Sequence, residues 1–215
     1  MKTITQWLFV ALLLPVSASV FSATGHTLND IQHQWAQINY RGGGAEDKVE
    51  AFRALLTEAQ QLVDAEPDSA EPYIWLGIVQ SSTAGAKGGL GALKYAKMAK
   101  KNFEKAMKIN ENALQGSAMT SLGVLYHKVP GWPIAFGSDK KAEMLLKHAL
   151  SVNPEGIDPN YFYAEFLFDE GEYQQALEYA NRAESAPARS DRPLADEGRQ
   201  KEIAHLKQQI VAKRH

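Results

Sequence analysis

From Thr27 to the C-terminus the apolar residues recur at spacings of three and four, the mark of helices that bury one face, and they do not alternate singly as in a half-buried strand. Leu28, Ile31, Trp35 and Ile38 form the first such face, with Thr27 or Asn29 placed to cap it. Arg41 to Ala45, RGGGA, breaks that pattern. A second helix is predicted from about Glu46 to Ala65, burying Val49, Phe52, Leu56, Ala59 and Val63 and ending at Pro67. The clearest helix pair lies between Pro159 and Pro187. Tyr163, Phe166 and Leu167 sit around Ala164 on its first helix, Asp169 to Glu172 supply the turn, and Ala176, Ala180 and Ala183 line its second. Small side chains on that stripe let two helix axes approach to about 8–10 Å, and Pro187 stops the second helix. The pattern predicts an all-α chain.

The same pair repeats. Tyr73-x2-Leu76-Gly77 returns as Met119-x2-Leu122-Gly123-x2-Tyr126 and as Asn160-x2-Tyr163-Ala164-x2-Leu167. In the second helices, Ala99-x3-Phe103-x2-Ala106 matches Ala142-x3-Leu146-x2-Ala149 and Ala176-x3-Ala180-x2-Ala183, with Pro154 and Pro187 closing two of the units. This resembles the tetratricopeptide repeat, whose pattern is W-x2-L-G-x2-Y, then A-x3-F, then P. Gly77, Gly123 and Ala164 then fall where the two helices of a unit cross. The expectation is a right-handed superhelical array of antiparallel helix pairs over residues 24–190. It has about four units, the first degenerate, followed by a C-terminal capping helix over 191–215.

The units exceed the usual 34 residues. Leu76 to Leu122 is 46 residues and Gly123 to Ala164 is 41, with the excess between first and second helix. In unit two it is Ser81 to Gly91, SSTAGAKGGLG, and in unit three Lys128 to Asp139, KVPGWPIAFGSD. Unit one has the shorter RGGG. Turns of one kind emerge on one edge of a stacked array, so these insertions are expected to be neighbours and to form a functional surface.

Residues 1–23 read as a secretory signal peptide, with Lys2 at its start, an apolar run from Leu8 to Leu14 and small residues from Pro15 to Ala23. Cleavage is expected between Ser19 and Thr24, and the product is expected in the periplasm. No later segment reaches the roughly 20 apolar residues of a membrane span. The chain has no cysteine, hence no disulfide and no lipid attachment site, so stability is expected to come from buried apolar surface. Its 23 basic and 25 acidic residues nearly balance, and nothing points to nucleic acid.

Val129, Trp132, Ile134 and Phe136 lie among Pro130, Gly131 and Pro133, which prevent a helix. That insertion either plugs the repeat core or forms a binding surface, with Trp132, Ile134 and Phe136 as its candidates. Gly85 to Gly91 lacks the Lys-Ser/Thr pair of a phosphate loop and reads as a flexible connector. Lys94, Lys97, Lys101, Lys105 and Lys108 step by three and four, a solvated face or a docking patch for an acidic partner. The concave face should be lined by the first helices: Ile74 and Ile78, then Thr120, Val124 and His127, then Tyr161, Glu165 and Phe168. The six histidines show no metal-ligand spacing, no cysteine can act as nucleophile, and a His127–Glu165 acid/base pair is weaker than an ordinary groove lining. No enzyme, metal or cofactor is expected.

The run from Gly116 to Gly137, GSAMTSLGVLYHKVPGWPIAFG, followed by Asp158 to Tyr163, resembles the periplasmic TatT-like accessory proteins of TRAP (tripartite ATP-independent periplasmic) transporters. The resemblance implies a helical array around an apolar cavity or pore, paired with a substrate-binding protein. The expected function is a non-enzymatic periplasmic scaffold for a protein partner, with a hydrophobic small molecule as further ligand. The alternative is a stand-alone small-molecule or lipid carrier.

Overall fold

The computed structural model describes residues 25–214, so the expected signal peptide lies outside the described residues. Four helix pairs follow one another: α1 (Leu28–Arg41) with α2 (Ala45–Ala65), α3 (Ala70–Lys87) with α4 (Gly89–Asn110), α5 (Ser117–Lys128) with α6 (Asp139–Val152), and α7 (Ile157–Asp169) with α8 (Tyr173–Glu184). A short 3-10 turn, Ala113–Gly116, joins α4 to α5, and α9 (Pro193–Lys213) ends the chain. The described residues contain no strand, and the loop after α5 holds an isolated bridge between Gly131 and Gly137. Thr27 caps α1 reciprocally with Asp30: each side chain accepts from the other's backbone N–H, at 3.2 and 2.8 Å.

Within the second, third and fourth pairs the crossing is made by a small residue, as the repeat register predicts. A Cβ on Gly77 would stand 2.6 Å from the Phe103 ring, and one on Gly123 would stand 2.8 Å from Leu146 Cγ. Ala164 is fully buried at the equivalent place. Gly123→Leu is therefore expected to cost about 1–3 kcal/mol through overpacking, seen as a lower urea midpoint. An unchanged midpoint would remove Gly123 from the crossing. On α2 the buried face is rotated from the expected one: Leu55 is buried and Leu56 and Val49 only half-buried. The cause is that α2 packs against α3 as well as α1, so Leu62 is drawn in beside Val63.

One expectation is corrected. The stretch from Gly85 to Gly91, expected as a flexible connector, is helical apart from Gly88: α3 continues to Lys87 and α4 starts at Gly89. The extra residues lengthen both helices of unit two, to 18 and 22 residues, and the chain reverses at Gly88 and Gly89. Gly88 and Gly89 have φ of +62° and +57°, which glycine adopts without the steric cost of a Cβ, so two adjacent glycines reverse the chain without a loop.

A further finding concerns α9, which packs on the last unit and makes contacts beyond it. It packs on α8 through a stripe including Ile203, Leu206 and Ile210, but it also touches α7 and returns to α1. At Gly198 an added Cβ would collide with the Tyr40 ring, so the close approach of α9 to α1 depends on a missing side chain. His33 Nε2 on α1 lies 2.8 Å from the backbone carbonyl of Asp191, 158 residues later. The array is thereby closed on itself, and its concave face becomes the wall of a cavity.

Candidate functional site

The cavity has a volume of about 1360 Å³. Pockets for drug-sized ligands span roughly 300–1,000 Å³, so this space is ample for a small molecule. Its apolar wall combines Trp35 from α1, Trp75 and Ile78 from α3, Val124 from α5, and Tyr161 and Phe162 from α7. The aromatic residues are held by each other and by hydrogen bonds. Trp35 meets Trp75 edge-on at 5.8 Å and Tyr40 at 5.7 Å, and its indole N–H donates to Ser82 Oγ at 2.8 Å. Leu90, 84% exposed, and Ile134, 62% exposed, border the cavity and mark its mouth. Residues flanking all three inter-helix turns, Tyr40, Gly89 and Pro130 among them, line this one space, and so the insertions are gathered on one side.

Beside these aromatic residues the lining is charged. Arg199 on α9 donates to Asp158 at 2.9 Å and to Glu202 at 2.6 Å, while its guanidinium lies 4.5 Å from the Tyr161 ring centre and 4.3 Å from that of Phe162. Arg189 donates to the other oxygen of Asp158 at 2.7 Å and to Asp196 at 2.7 Å. Burial opposes the Asp158 carboxylate, but Arg199, Arg189 and Arg192 outweigh it and hold its carboxyl well below the usual carboxylate range. The same burial pushes the Tyr40 hydroxyl up to about 12. These pairs tie the start of α7 to α9 and the segment before it.

The predicted concave residues divide. Ile78, Thr120, Val124, Tyr161 and Glu165 line the cavity. Ile74 does not: it is fully buried in the core cluster with Ala113, Ala118 and Met119, covered by the next unit one turn before the face opens. Phe168 is also outside, tilted against Tyr173 at 5.7 Å where α7 turns into α8. His127 points to the turn edge, with Nδ1 2.8 Å from Asp139 and Nε2 2.9 Å from Asp169. It therefore forms no pair with Glu165, whose partner is Lys128 at 3.6 Å. His127, Asp139 and Glu170 bring ligand-type atoms within 4.8 Å of one another. Both His127 nitrogens already face carboxylates and Lys128 sits 2.8 Å from Asp169, so hydrogen bonds and one lysine–aspartate ion pair join α5, α6 and α7 here.

The insertion after α5 is split between the two roles the sequence leaves open. Phe136 packs edge-on against Tyr126 at 5.6 Å and is half-buried, while Trp132 is 89% exposed. The loop is closed by Gly137 N–H donating to the Pro130 carbonyl at 2.9 Å and Ser138 N–H to that of Tyr126 at 2.9 Å. Trp132→Ala should accordingly change stability by less than about 1 kcal/mol, because it removes no buried contact. A thermal melt showing a loss of several kcal/mol would return Trp132 to the core. Lys94, Lys97, Lys101, Lys105 and Lys108 of α4 are all exposed, as a solvated face requires, while the sixth lysine of the helix, Lys100, is half-buried.

Sequence reasoning passed over Arg189, Arg192, Arg199, Asp158 and Glu202. One signal was available: Ala195, Arg199, Ile203 and Leu206 share one apolar stripe, and an arginine on a buried stripe calls for a buried partner.

No family model and no curated protein matches the chain. Among solved structures it is similar to a thermophilic tetratricopeptide-repeat protein of Thermus thermophilus. The sequence identity is 15% and the TM-score 0.53, covering 83% of this chain and 100% of that one. Together with the successive helix pairs, this likeness shows an all-α, tetratricopeptide-like repeat fold. Among the described residues no helix is long and apolar enough to cross a membrane.

Proposed function

We propose that this chain is a non-enzymatic, exported binding protein that holds a hydrophobic small molecule inside the closed helical array and serves a protein partner in the periplasm. The observation that carries the reading is the return of α9 to α1, which converts a concave repeat surface into an aromatic-lined cavity. Helical repeats use concave faces to hold extended segments and ligands. The exposed Trp132 and Ile134 at the mouth supply apolar area for a partner, and aromatic anchors of this kind dominate interface energetics. The periplasmic location rests on the leader pattern of residues 1–23, and the pairing with a TRAP-transporter substrate-binding protein rests on the resemblance of the 116–137 run.

The cavity is tested with a neutral naphthylamine probe whose fluorescence rises in apolar surroundings. One probe per chain should bind, and Val124→Glu should weaken it by at least about tenfold by placing a charge on the apolar wall. A probe that stays dark in the folded protein would overturn the ligand reading. The stand-alone carrier is the second reading, favoured by a cavity volume of about 1360 Å³, ample for a small molecule. Co-expression with a substrate-binding protein of a TRAP transporter separates the two. An accessory should co-elute with it and lose it on Trp132→Ala, whereas a carrier should retain its small molecule and elute alone.

A further inference from the structure

The charge of the ligand's head group is read from the one cavity cation without an ion pair among the described residues, in a lining that also carries Glu155, Asp158, Glu165, Asp191 and Glu202, an inference that rests on the cavity being a small-molecule site. Four basic side chains line it: Lys128, Arg189, Arg192 and Arg199. Three are paired. Lys128 is bound by Asp169 and Glu165, Arg189 by Asp158 and Asp196, and Arg199 by Asp158 and Glu202. Arg192 forms no ion pair among the described residues; Asp158, Asp196 and Asp191 act on it only at longer range. Its Nε is sealed from water with no hydrogen-bond partner. Buried polar groups are nearly always partnered, and each exception calls for an explanation.

Arg192 lies over an aromatic ring. Its guanidinium carbon is 5.0 Å from the ring centre of Trp75, a cation–π contact that leaves its charge without a counter-ion. Burial and the neighbouring Arg189 both disfavour its charge, and an anion beside it would offset that cost. Trp75 and Ile78, three residues apart on α3, continue from the guanidinium as an apolar track, with Trp35 beside it. A planar carboxylate matches the guanidinium fork, and a single unpaired cation matches one negative charge. A dianionic phosphate would require a second free cation that the lining lacks among the described residues.

We propose that Arg192 is the anion receptor of the cavity, and that the ligand is a monoanionic amphiphile whose carboxylate head sits at Arg192 and whose apolar body lies along Trp75 and Ile78.

Calorimetry with octanoate and octanol, which share a chain and differ in head-group charge, tests this. Octanoate is expected to bind the wild-type protein at least about tenfold more tightly than octanol, the usual worth of a charge-assisted hydrogen bond. Arg192→Gln should bring octanoate down to the octanol level and leave octanol unchanged. Arg192→Lys, which keeps the charge, should retain part of the preference. Equal binding of the two by the wild type overturns the proposal, and so does a preference that survives in a folded Arg192→Gln. If Arg192→Gln melts early, the wild-type comparison still decides. Octanol and the naphthylamine probe binding without an acid preference would sink this inference alone. Failure of all three to bind would sink the cavity reading beneath it.

Discussion

Asp158→Ala is expected to destabilise the protein by about 3–5 kcal/mol, the usual consequence of removing one partner from buried charge pairs. Asp158 is the shared carboxylate of Arg199, whose side chain is 9% exposed, and Arg189. Without it Arg199 keeps only Glu202 and Arg189 only Asp196. The variant should also bind the naphthylamine probe less well, because these pairs hold α9 and its preceding segment against α7. A urea titration giving a loss below about 1 kcal/mol would show the pairs to be solvent-screened. Acid supplies a second reading. The folded-state carboxyl is held below its usual range, so its contribution is full above the unfolded value of about 3.9 and is lost as pH falls from there toward the folded value. The wild type should therefore lose stability progressively below about pH 4–5, and Asp158→Ala should show a shallower slope in that window.

Phe103→Ala should cost a similar amount, about 3–5 kcal/mol, by emptying a fully buried aromatic site. Phe103 on α4 fills the space that the missing side chain of Gly77 leaves on α3, with ring atoms 2.6 to 3.0 Å from where a Cβ would stand. The two residues are complementary, which yields a sharper test than the single change. Gly77→Ala alone should be destabilising, whereas in the Phe103→Ala background it should be neutral or restore part of the loss. Calorimetric melts of the four proteins in this cycle measure the coupling. Additive effects would mean that Gly77 and Phe103 do not share one crossing.

Gly77, Gly123 and Ala164 were legible as crossings because helix packing is written in spacings of three and four, and a residue that must be small cannot be hidden by its neighbours. The length of the insertions was legible too, but not their conformation. Ser81 to Gly91 carries four glycines, which lower helix propensity by about 1 kcal/mol each relative to alanine. Packing between the two lengthened helices overrides that preference. Of the concave residues, Ile78, Val124, Tyr161 and Glu165 fall on the cavity, while Ile74, His127 and Phe168, on the same predicted face, do not. Periodicity assigns a face to a whole helix, whereas the neighbouring unit covers one turn of it and the turn edge captures another.

What the sequence determined by itself was the local and nearest-neighbour part of this protein: helices, their pairing, the small residues at their crossings and the presence of a concave face. Each of these depends on contacts within one unit or with the next. Closure of the array depends on none of them. It requires the accumulated curvature of four units to bring α9 back to α1, so that His33 meets Asp191 across 158 residues and Tyr40 lies over Gly198. Only the tertiary structure decided that the concave face would be a walled cavity, and that among its four cations Arg192 would be left without a described carboxylate. Pairing among charged side chains is settled by which oxygen atoms the closed ring brings within about 4 Å, and no spacing along the chain records that distance.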